Sequence, residues 1–256
     1  MEEKNIFNRK EIYLISHDKN GKLFLDKNKT KRRPMYRYDN LHLVDGMSFT
    51  SYHGVDIPVL SPLLGSLECE FIPFSERKKY SGKNQGVHFF QYDDTFRFAV
   101  WNRLEKTTYD LKNFEILTTP DFTMYVDRPS FFALQSVFMT RFVGAYWQKC
   151  GYRVLPTASW SDVDSFEFAF LGLPEHSPIA VGGVGVKGNP GAQELWHLGL
   201  LELEKRVQPS QILIYGDSRL ELPTLNTPVK FIIDNITKHF RNDRNIQERN
   251  REQIVA

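Results

Sequence analysis

Cysteine is scarce in this sequence, and neither sign of charge is in clear excess. The 256 residues include only Cys69 and Cys150, which excludes a framework of several disulfides and a zinc site built from four cysteines. The formal net charge of +2 is too small to indicate nucleic-acid binding by itself. The N-terminus has no apolar signal-peptide region, so a reducing cytoplasm is the expected location.

Long hydrophobic runs and familiar catalytic motifs are missing as well. The most apolar stretch covers residues 129–150. It carries Gln135, Arg141 and Gln148, which is typical of a packed helix, so we expect no membrane span. The sequence contains no His-Glu-x-x-His pair, which argues against a zinc site of the metalloprotease type. It also lacks a Gly-x-Ser-x-Gly turn, which argues against an α/β-hydrolase.

A strand–helix–strand unit lies near the middle of the chain. Phe114–Leu117 is a short apolar run typical of a buried strand. Asp127 and Pro129 supply a helix start, and Gly151 suits the left-handed position that ends a helix. A second strand, Tyr152–Leu155, follows at once. Parallel sheets are built from units of this kind.

The same alternation continues on both sides of this unit. Further strands are predicted at Val87–Tyr92, Pro178–Val181, Gln211–Tyr215 and Val229–Ile233. Helices are predicted at Thr95–Arg103, Ser161–Leu171 and Gly191–Val207. Within the second of these helices, the alternation of Phe166, Phe168 and Phe170 would also suit a strand.

These elements predict an α/β fold with a mostly parallel sheet. We favour a barrel-like sheet or partial TIM-type barrel, because nearly every strand ends in a short polar or glycine-containing turn. An open doubly wound sheet is the alternative. The expected organisation is an irregular N-terminal extension at residues 1–83, packed on an α/β core domain at residues 84–235. A polar C-terminal tail follows at residues 236–256.

Four aspartates follow predicted strands. The carboxyl ends of parallel strands lie at one edge of a sheet, so two or three of these carboxylates could meet and hold Mg²⁺ or Mn²⁺. The candidate catalytic residues are Asp94, Asp121 and Asp217. The candidate metal ligands are Asp93 and Asp121. The plainer interpretation is that each aspartate caps the helix after it, although Asp121 lies far from the next helix.

A glycine-rich turn follows the strand at Pro178–Val181. Gly183, Gly185 and Gly188 have the Gly-x-Gly-x-x-Gly spacing, and Lys187 lies among them. Such backbone can approach a phosphate closely, so Gly183, Gly185 and Lys187 are candidate cofactor-binding residues. A flexible surface loop is the plainer interpretation. Trp160, just past another strand end, is a fourth candidate, since its ring could stack on a base.

The most basic stretch of the chain covers residues 26–38. Its lysines and arginines could neutralise nucleic-acid phosphates, although a solvated loop is the plainer interpretation. The candidate contacts are Lys27, Lys29, Lys31, Arg32 and Arg33.

Four stretches of the sequence carry a resemblance to a known family. They are HFFQYDDTFRFAVWN at residues 88–102, PDFTMYVDRP at 120–129, GAYWQKCGYRVLPTASW at 144–160 and IYG at 214–216. Across residues 87–216 the chain resembles the family of phage and mobile-element proteins numbered four-four-one-seven among the domains of unknown function. The resemblance implies a prokaryotic or phage setting. It implies no reaction and no catalytic residue.

Three functions fit the sequence. The first is binding of a phosphate-bearing ligand such as a nucleotide, or catalysis on it, at the carboxyl ends of the strands. The second is nucleic-acid binding in the replication or maintenance of a mobile element. The third is a non-catalytic interaction factor that acts on a host protein or system.

Overall fold

The computed structural model describes residues 39–232 apart from Lys187, together with the backbone of two short strands before them. Those strands, β1 (Ile15–His17) and β2 (Leu23–Leu25), form an antiparallel hairpin. The basic stretch at residues 26–38 and the tail at residues 236–256 lie outside the described residues.

Ten more strands and five α-helices follow in the described part of the chain. The strands are β3 (Phe49–Tyr52), β4 (Val55–Pro58), β5 (Glu70–Pro73), β6 (Gln85–His88), β7 (Ile116–Thr118), β8 (Val154–Leu155), β9 (Thr157–Ala158), β10 (Pro178–Gly182), β11 (Gln211–Tyr215) and β12 (Val229–Ile232). The helices are α1 (Asp93–Val100), α2 (Leu104–Asp110), α3 (Ser130–Lys149), α4 (Phe166–Ala169) and α5 (Pro190–Val207). Short 3-10 helices lie at Leu41–Leu43 and Phe74–Lys79.

Eight of these strands form two parallel four-stranded sheets, with the orders β5-β6-β7-β8 and β12-β11-β10-β9. Pro156 alone separates β8 from β9, and its carbonyl oxygen accepts a hydrogen bond from the N–H of Ala180 in β10 at 2.8 Å. Proline has no N–H with which to continue a ladder, so this residue divides one extended segment between the two sheets. The predicted α/β fold with parallel strands is therefore confirmed, and β3 and β4 add an antiparallel hairpin.

The strands curve toward one another around a concave face. Counted through the segment at Pro156, β6 and β11 are four strand positions apart, which would be about 19 Å in a flat sheet. The rings of His88 in β6 and Tyr215 in β11 nevertheless lie only 4.4 Å apart between centroids. Side chains from six strands pack in one cluster on this face: Phe71, Ile116, Leu155, Ala180, Leu213 and Ile232.

The opposite, convex face carries the alternate residues and packs against the helices, as the two-residue period of a strand requires. Val87 and Leu117 belong to a cluster that includes side chains of α1, α2 and α3. Ile179 and Ile212 belong to a second cluster with α4 and α5. Each fully buried aliphatic or aromatic side chain of this kind contributes about 1.5–3 kcal/mol, so the convex face holds much of the hydrophobic stabilisation.

Helix α3 has the extent that the sequence predicts. It begins after Pro129 and ends just before Gly151, which has a φ of 85° in the left-handed region that favours glycine. The predicted cap from Asp127 is wrong, because the capping position is Pro129 and no side chain makes a capping hydrogen bond there. Within the described residues, no helix is both long and apolar enough to cross a membrane.

Two other segments differ from their predictions. The helix expected at Ser161–Leu171 is shortened to α4. Ser165 explains this, because its N–H donates to Asp162 Oδ1 at 2.8 Å and its hydroxyl donates to the Asp162 carbonyl at 2.6 Å, which forms a turn before the helix. In addition, β5 lies within residues 1–83, where an irregular extension was expected, and it pairs in parallel with β6.

Replacing Trp147 of α3 with alanine should lower the free energy of unfolding by about 3–5 kcal/mol. The indole is fully buried, lies 5.5 Å from the ring of Phe89 and donates a hydrogen bond to Thr108 Oγ1 at 3.0 Å. Equilibrium unfolding in urea measures the change. Leu64→Ala is the control, because Leu64 is 79% exposed and should change little. An unchanged midpoint for Trp147→Ala would contradict this account of the core.

Candidate functional site

The residues singled out by the sequence follow the carboxyl ends of the parallel strands. Within each sheet all strands run in the same direction, and β8 leads directly into β9, so these ends lie at the same edge of both sheets. Asp93 follows β6, Asp121 follows β7 and Trp160 follows β9. Gly183 follows β10, and Asp217 follows β11.

Asp121 lies beside Gly182, and part of its carboxylate is held away from water. Its Oδ2 is 3.4 Å from the point where a Cβ on Gly182 would lie. Its Oδ1 is buried without a hydrogen-bond partner among the described residues. The pKa of this carboxyl is raised to about 6, chiefly by burial and also by the charge of Asp93, whereas a hydrogen bond from Ser159 and the charge of Arg141 lower it. A group with such a pKa can exchange a proton near neutral pH.

Asp93 is engaged with protein groups on both of its oxygens. Oδ1 accepts hydrogen bonds from the N–H and the hydroxyl of Thr123, at 3.2 and 2.8 Å. Oδ2 pairs with Arg97 Nη1 at 3.2 Å. Asp93 therefore fastens the start of α1 to the loop that carries Asp121. Asp94, the next residue, is exposed to solvent.

Arg141 of α3 supplies a buried positive charge close to Asp121. Its guanidinium donates three hydrogen bonds to backbone carbonyls: from Nε to Leu171 at 2.9 Å, from Nη1 to Thr157 at 2.9 Å and from Nη2 to Ala169 at 2.8 Å. Burial lowers the pKa of this guanidinium to about 9, and the negative charge of Asp121 opposes that change. Arg141 thus stays protonated at neutral pH.

Gly183, the first glycine of the turn after β10, makes a hydrogen bond that stabilises the fold. The N–H of Gly183 donates to the carbonyl of Tyr215 at 2.8 Å, which joins the ends of β10 and β11. The preceding carbonyl, of Gly182, accepts a hydrogen bond from Trp196 Nε1 of α5 at 2.9 Å. These contacts hold the start of the turn against α5 and β11.

The rest of the turn is more open. Gly185 and Gly188 both have a φ of 82°, and a Cβ on either would meet nothing within 4 Å. Asn189 then starts α5, because its Oδ1 accepts a hydrogen bond from the N–H of Ala192 at 3.2 Å. Lys187 lies outside the described residues. The turn therefore offers exposed backbone next to the positive end of a helix dipole.

Asp217 closes the turn after β11. Its Oδ2 lies 2.7 Å from Arg219 Nη2, and its Oδ1 accepts hydrogen bonds from the Nε and the N–H of the same residue at 3.0 and 3.1 Å. Its carbonyl accepts a hydrogen bond from the N–H of Leu220 at 3.0 Å. This carboxylate is thus partly occupied by its own loop.

Trp160 packs closely on α5. A Cβ on Gly199 would lie only 2.0 Å from Cε2 of this indole. The ring therefore occupies the space that a side chain at position 199 would need, and glycine is the residue that leaves it free. The rings of Phe166 and Phe170 lie 6.5 and 5.9 Å from it between centroids. Part of the indole remains exposed.

His88 lies on the concave face below a pair of stacked aromatic rings. Phe90 and Tyr215 stack at 5.1 Å between centroids, and the Phe90 ring comes within 3.3 Å of the point where a Cβ on Gly182 would lie. The ring of His88 is fully buried, and neither nitrogen has a hydrogen-bond partner among the described residues. The same holds for the hydroxyl of Thr118. Burial lowers the pKa of His88 to about 3, so its imidazole is neutral at physiological pH.

The structure thus brings Asp121 near Asp93 and Gly182, and it adds three groups that sequence reasoning did not select: His88, Arg141 and Thr118. Arg141 had a sequence signal, because a single arginine within a very apolar helix must find partners inside the protein. His88 and Thr118 had none, since each lies in an ordinary strand and gains its meaning only from the curvature of the sheet.

Metal binding by Asp93 and Asp121 remains a prediction. In the part of the chain that the structure describes, no group of three or more His, Cys, Asp or Glu side chains could hold a metal ion. The two carboxylates are near enough for the charge of Asp93 to act on Asp121. Mg²⁺ is commonly held by one or two carboxylates and completes its shell with water and substrate phosphates. Asp121 alone would suffice for that mode of binding, whereas Asp93 would have to release Thr123 or Arg97 to become a ligand.

The depressed pKa of His88 predicts a specific pH dependence of stability. The unfolded chain gains a proton at a pKa of about 6.5, whereas the folded protein resists protonation of this buried ring down to about 3. Unfolding therefore takes up a proton in this window, and stability should fall as the pH decreases, by up to about 1.4 kcal/mol per pH unit.

The measurement is urea unfolding of the wild type and His88→Phe at several pH values from 7.5 to 4.5. The variant should lose less stability as the pH falls, because it lacks the titrating ring. Asp121 has a raised pKa and so contributes the opposite slope, but it is present in both proteins and cancels in the difference. Parallel curves for the two proteins would show that His88 does not titrate as its burial requires.

Comparison with known proteins finds two similar phage proteins. It is 35% identical over 191 residues to the "Gene 1 protein" of Mycobacterium phage L5, covering 72% of this chain and 80% of that protein. It is 35% identical over 188 residues to the "Gene 1 protein" of Mycobacterium phage D29, covering 72% of this chain and 67% of that protein. No solved structure matches the chain significantly.

The family described as "Domain of unknown function (DUF4417)" matches residues 49–230, which is more than half of the chain. The match is wider than the four stretches from which the sequence resemblance was drawn, and it includes β5 and the hairpin of β3 and β4. The predicted resemblance is confirmed: the chain belongs to the DUF4417 family.

Proposed function

We propose that this protein binds a phosphate-bearing ligand such as a nucleotide, or acts on one, at the carboxyl ends of its parallel strands. The observation that carries the proposal is Asp121. One oxygen of its carboxylate is buried without a partner in the described structure, at the edge of the sheet where α/β proteins hold their ligands. A buried polar atom left unpaired weakens the fold, and a ligand that pairs with it would offset that cost.

The proposal includes the shape of the sheet. We infer a partial barrel, in which β5 through β12 curl around the concave cluster and Pro156 joins the two halves. The contact between His88 and Tyr215, four strand positions apart, supports that curvature. In a barrel-like sheet the strand-end loops surround one opening, and this arrangement would give the ligand one binding site.

Within that site the candidate residues take different roles. Asp121 would bind a polar group of the ligand or a divalent ion, and Asp93 and Asp94 add negative charge beside it. Mg²⁺ or Mn²⁺ would relieve the repulsion between the carboxylates and bridge to a phosphate. Gly185 and Lys187 would contact that phosphate from the open part of the turn.

The remaining candidates would border the opening. Gly183 would keep the turn in place through its bond to β11, and Trp160 and Asp217 would lie at the rim. The start of α5 follows the turn directly, and a helix N-terminus attracts an anion.

Asp121→Asn is expected to weaken ligand binding while the protein still folds, with some loss of stability because the substitution removes the negative charge near the buried Arg141. The substitution keeps the size of the side chain and removes its charge, and a lost hydrogen bond to a charged group corresponds to about a 10- to 100-fold loss of affinity. Calorimetric titration of nucleoside mono-, di- and triphosphates, each with and without Mg²⁺ or Mn²⁺, measures this for both proteins.

Asp164→Asn is the matched control. Asp164 is an exposed aspartate in the loop after β9, and its substitution should leave binding unchanged. Equal affinities of the wild type and Asp121→Asn would place the ligand elsewhere. If the wild type binds none of these compounds, the proposal fails and an interaction factor becomes the better interpretation.

That second candidate function has an observation of its own. Phe131 and Phe132 at the start of α3 are 65% and 47% exposed, and their rings meet edge to face at 5.6 Å. Tyr125, in the loop before them, is also exposed and lies under the guanidinium of Arg128 at 3.9 Å. Adjacent exposed aromatics of this kind often mark a protein-binding surface, so an interaction with a host protein is the alternative.

The double variant Phe131→Ser, Phe132→Ser tests that surface. Both side chains are exposed, so their loss should not reduce stability by more than about 1 kcal/mol. Affinity purification from host cells, with the wild type and the variant compared quantitatively, should find a protein that the variant no longer retains. The same set of bound proteins for both would count against the interaction factor.

A further inference from the structure

Three side chains on or next to the concave face carry buried polar atoms that the described protein does not pair. The unpaired atoms are both ring nitrogens of His88, the hydroxyl oxygen of Thr118 and one carboxylate oxygen of Asp121. Native proteins pair nearly all such atoms, because an unmade buried hydrogen bond is unfavourable. Two of these side chains lie on adjacent strands at the edge that is proposed to bind the ligand, which suggests a partner for them outside the described chain.

The fold places two of these side chains next to each other. Val87 and Leu117 are partners in the register of β6 and β7, so the following residues, His88 and Thr118, are neighbours across the same two strands. Both point away from the helix-covered convex face to which Val87 and Leu117 belong, because side chains alternate along a strand.

Phe90 connects this pair to Asp121. The centroid of its ring lies 6.0 Å from that of the His88 ring. On its other side, Phe90 and Asp121 meet at Gly182: a Cβ built on this glycine would lie 3.3 Å from the Phe90 ring and 3.4 Å from Asp121 Oδ2. The ring of Tyr215 stacks on the ring of Phe90, with 5.1 Å between the two centroids. A ligand that reached from Asp121 to His88 would therefore pass along aromatic rings.

His88 and Thr118 are both uncharged and can both form hydrogen bonds with a ligand. His88 is uncharged at physiological pH, so it offers one N–H donor and one nitrogen acceptor. The hydroxyl of Thr118 can donate or accept. A nucleobase carries adjacent donors and acceptors on its edge and a face that stacks on aromatic rings, which complements this arrangement. A phosphate would find no cation there among these groups.

We propose that His88 and Thr118 bind the hydrogen-bonding edge of a nucleobase, with Phe90 and Tyr215 against its face and Asp121 at the entrance. This assignment deepens the proposed function and rests on it. It makes the base, and not the phosphate, the part of the nucleotide that is recognised at the inner end of the site. A free nucleoside should therefore bind without any phosphate.

The experiment is calorimetric titration of adenosine, guanosine, cytidine and uridine and of their 5′-monophosphates. The proteins are the wild type, His88→Phe, which keeps an aromatic ring, and Thr118→Val, which keeps the shape. At least one nucleoside should bind the wild type, and each variant should lose about tenfold or more in affinity for that nucleoside and for its monophosphate. His88→Asn, which restores a donor and an acceptor, should recover part of the loss.

The urea midpoint of each protein provides a second readout. Because the polar atoms have no partner in the described structure, Thr118→Val and His88→Phe should leave the midpoint unchanged or raise it. Thr107→Val is the matched control, since that buried hydroxyl donates to the carbonyl of Ala99 at 2.7 Å, and it should lower the midpoint and leave binding unchanged. Midpoints lowered in both site variants as in the control would show structural partners such as buried water, and would overturn the assignment.

The outcomes separate this assignment from the proposed function. If monophosphates bind the wild type and both site variants equally well, the base site is overturned and the proposed function stands. If nucleosides bind as tightly as monophosphates, the base site stands and the phosphate contact is removed from the proposed function. If no nucleoside and no monophosphate binds the wild type, both are overturned.

Discussion

The buried guanidinium of Arg141 holds the two halves of this fold together. It lies on α3, which connects β7 to β8 in the first sheet, yet its three hydrogen bonds go to β9 and to the carbonyls of Ala169 and Leu171 in the second half of the chain. An ion of this kind loses several kcal/mol of hydration free energy on burial, and only good geometry compensates for that loss. Three carbonyl acceptors and the nearby charge of Asp121 provide it.

This arrangement links the stability of the fold to the candidate site. Asp121 gives Arg141 a negative neighbour, and Arg141 in turn lowers the pKa of a carboxyl that burial raises. The hydroxyls of Thr119 and Thr157 add a further link, since they lie 2.6 Å apart beside Pro156, where the backbone ladder is interrupted. The end of the sheet that is proposed to bind the ligand is therefore also the place where the two sheets are joined.

The sequence predicts the elements that have strong local signals. Helix α3 has a proline before its first residue and a glycine after its last, and β10 and β11 are compact apolar runs between turns, so their bounds agree with the structure to within a residue or two. The strand β5 had no such signal, because Pro73 ends it and its neighbour in the sheet is a later segment. The helix at Ser161–Leu171 was overestimated, because the side chains of Asp162 and Ser165 favour a turn over a helical start.

Within the candidate site, the sequence singles out a position only where one residue carries the information. Asp121 stood out because it lies in a Pro-Asp turn between a strand and a distant helix, and the structure places it at the strand ends. Its neighbours could not be found in this way. The contact of His88 with Tyr215 joins residues 127 positions apart in the sequence and depends on the curvature of the whole sheet, which no local pattern contains.

The packing of Trp160 on α5 limits which residues this chain can accept at position 199. A side-chain atom at position 199 would overlap the indole, so no mutation there can be accepted while the ring keeps its place. A smaller residue at position 160, in turn, would leave a void beside the helix that a larger residue at position 199 could fill. Exchange of glycine at position 199 for a larger residue therefore requires a smaller residue at position 160.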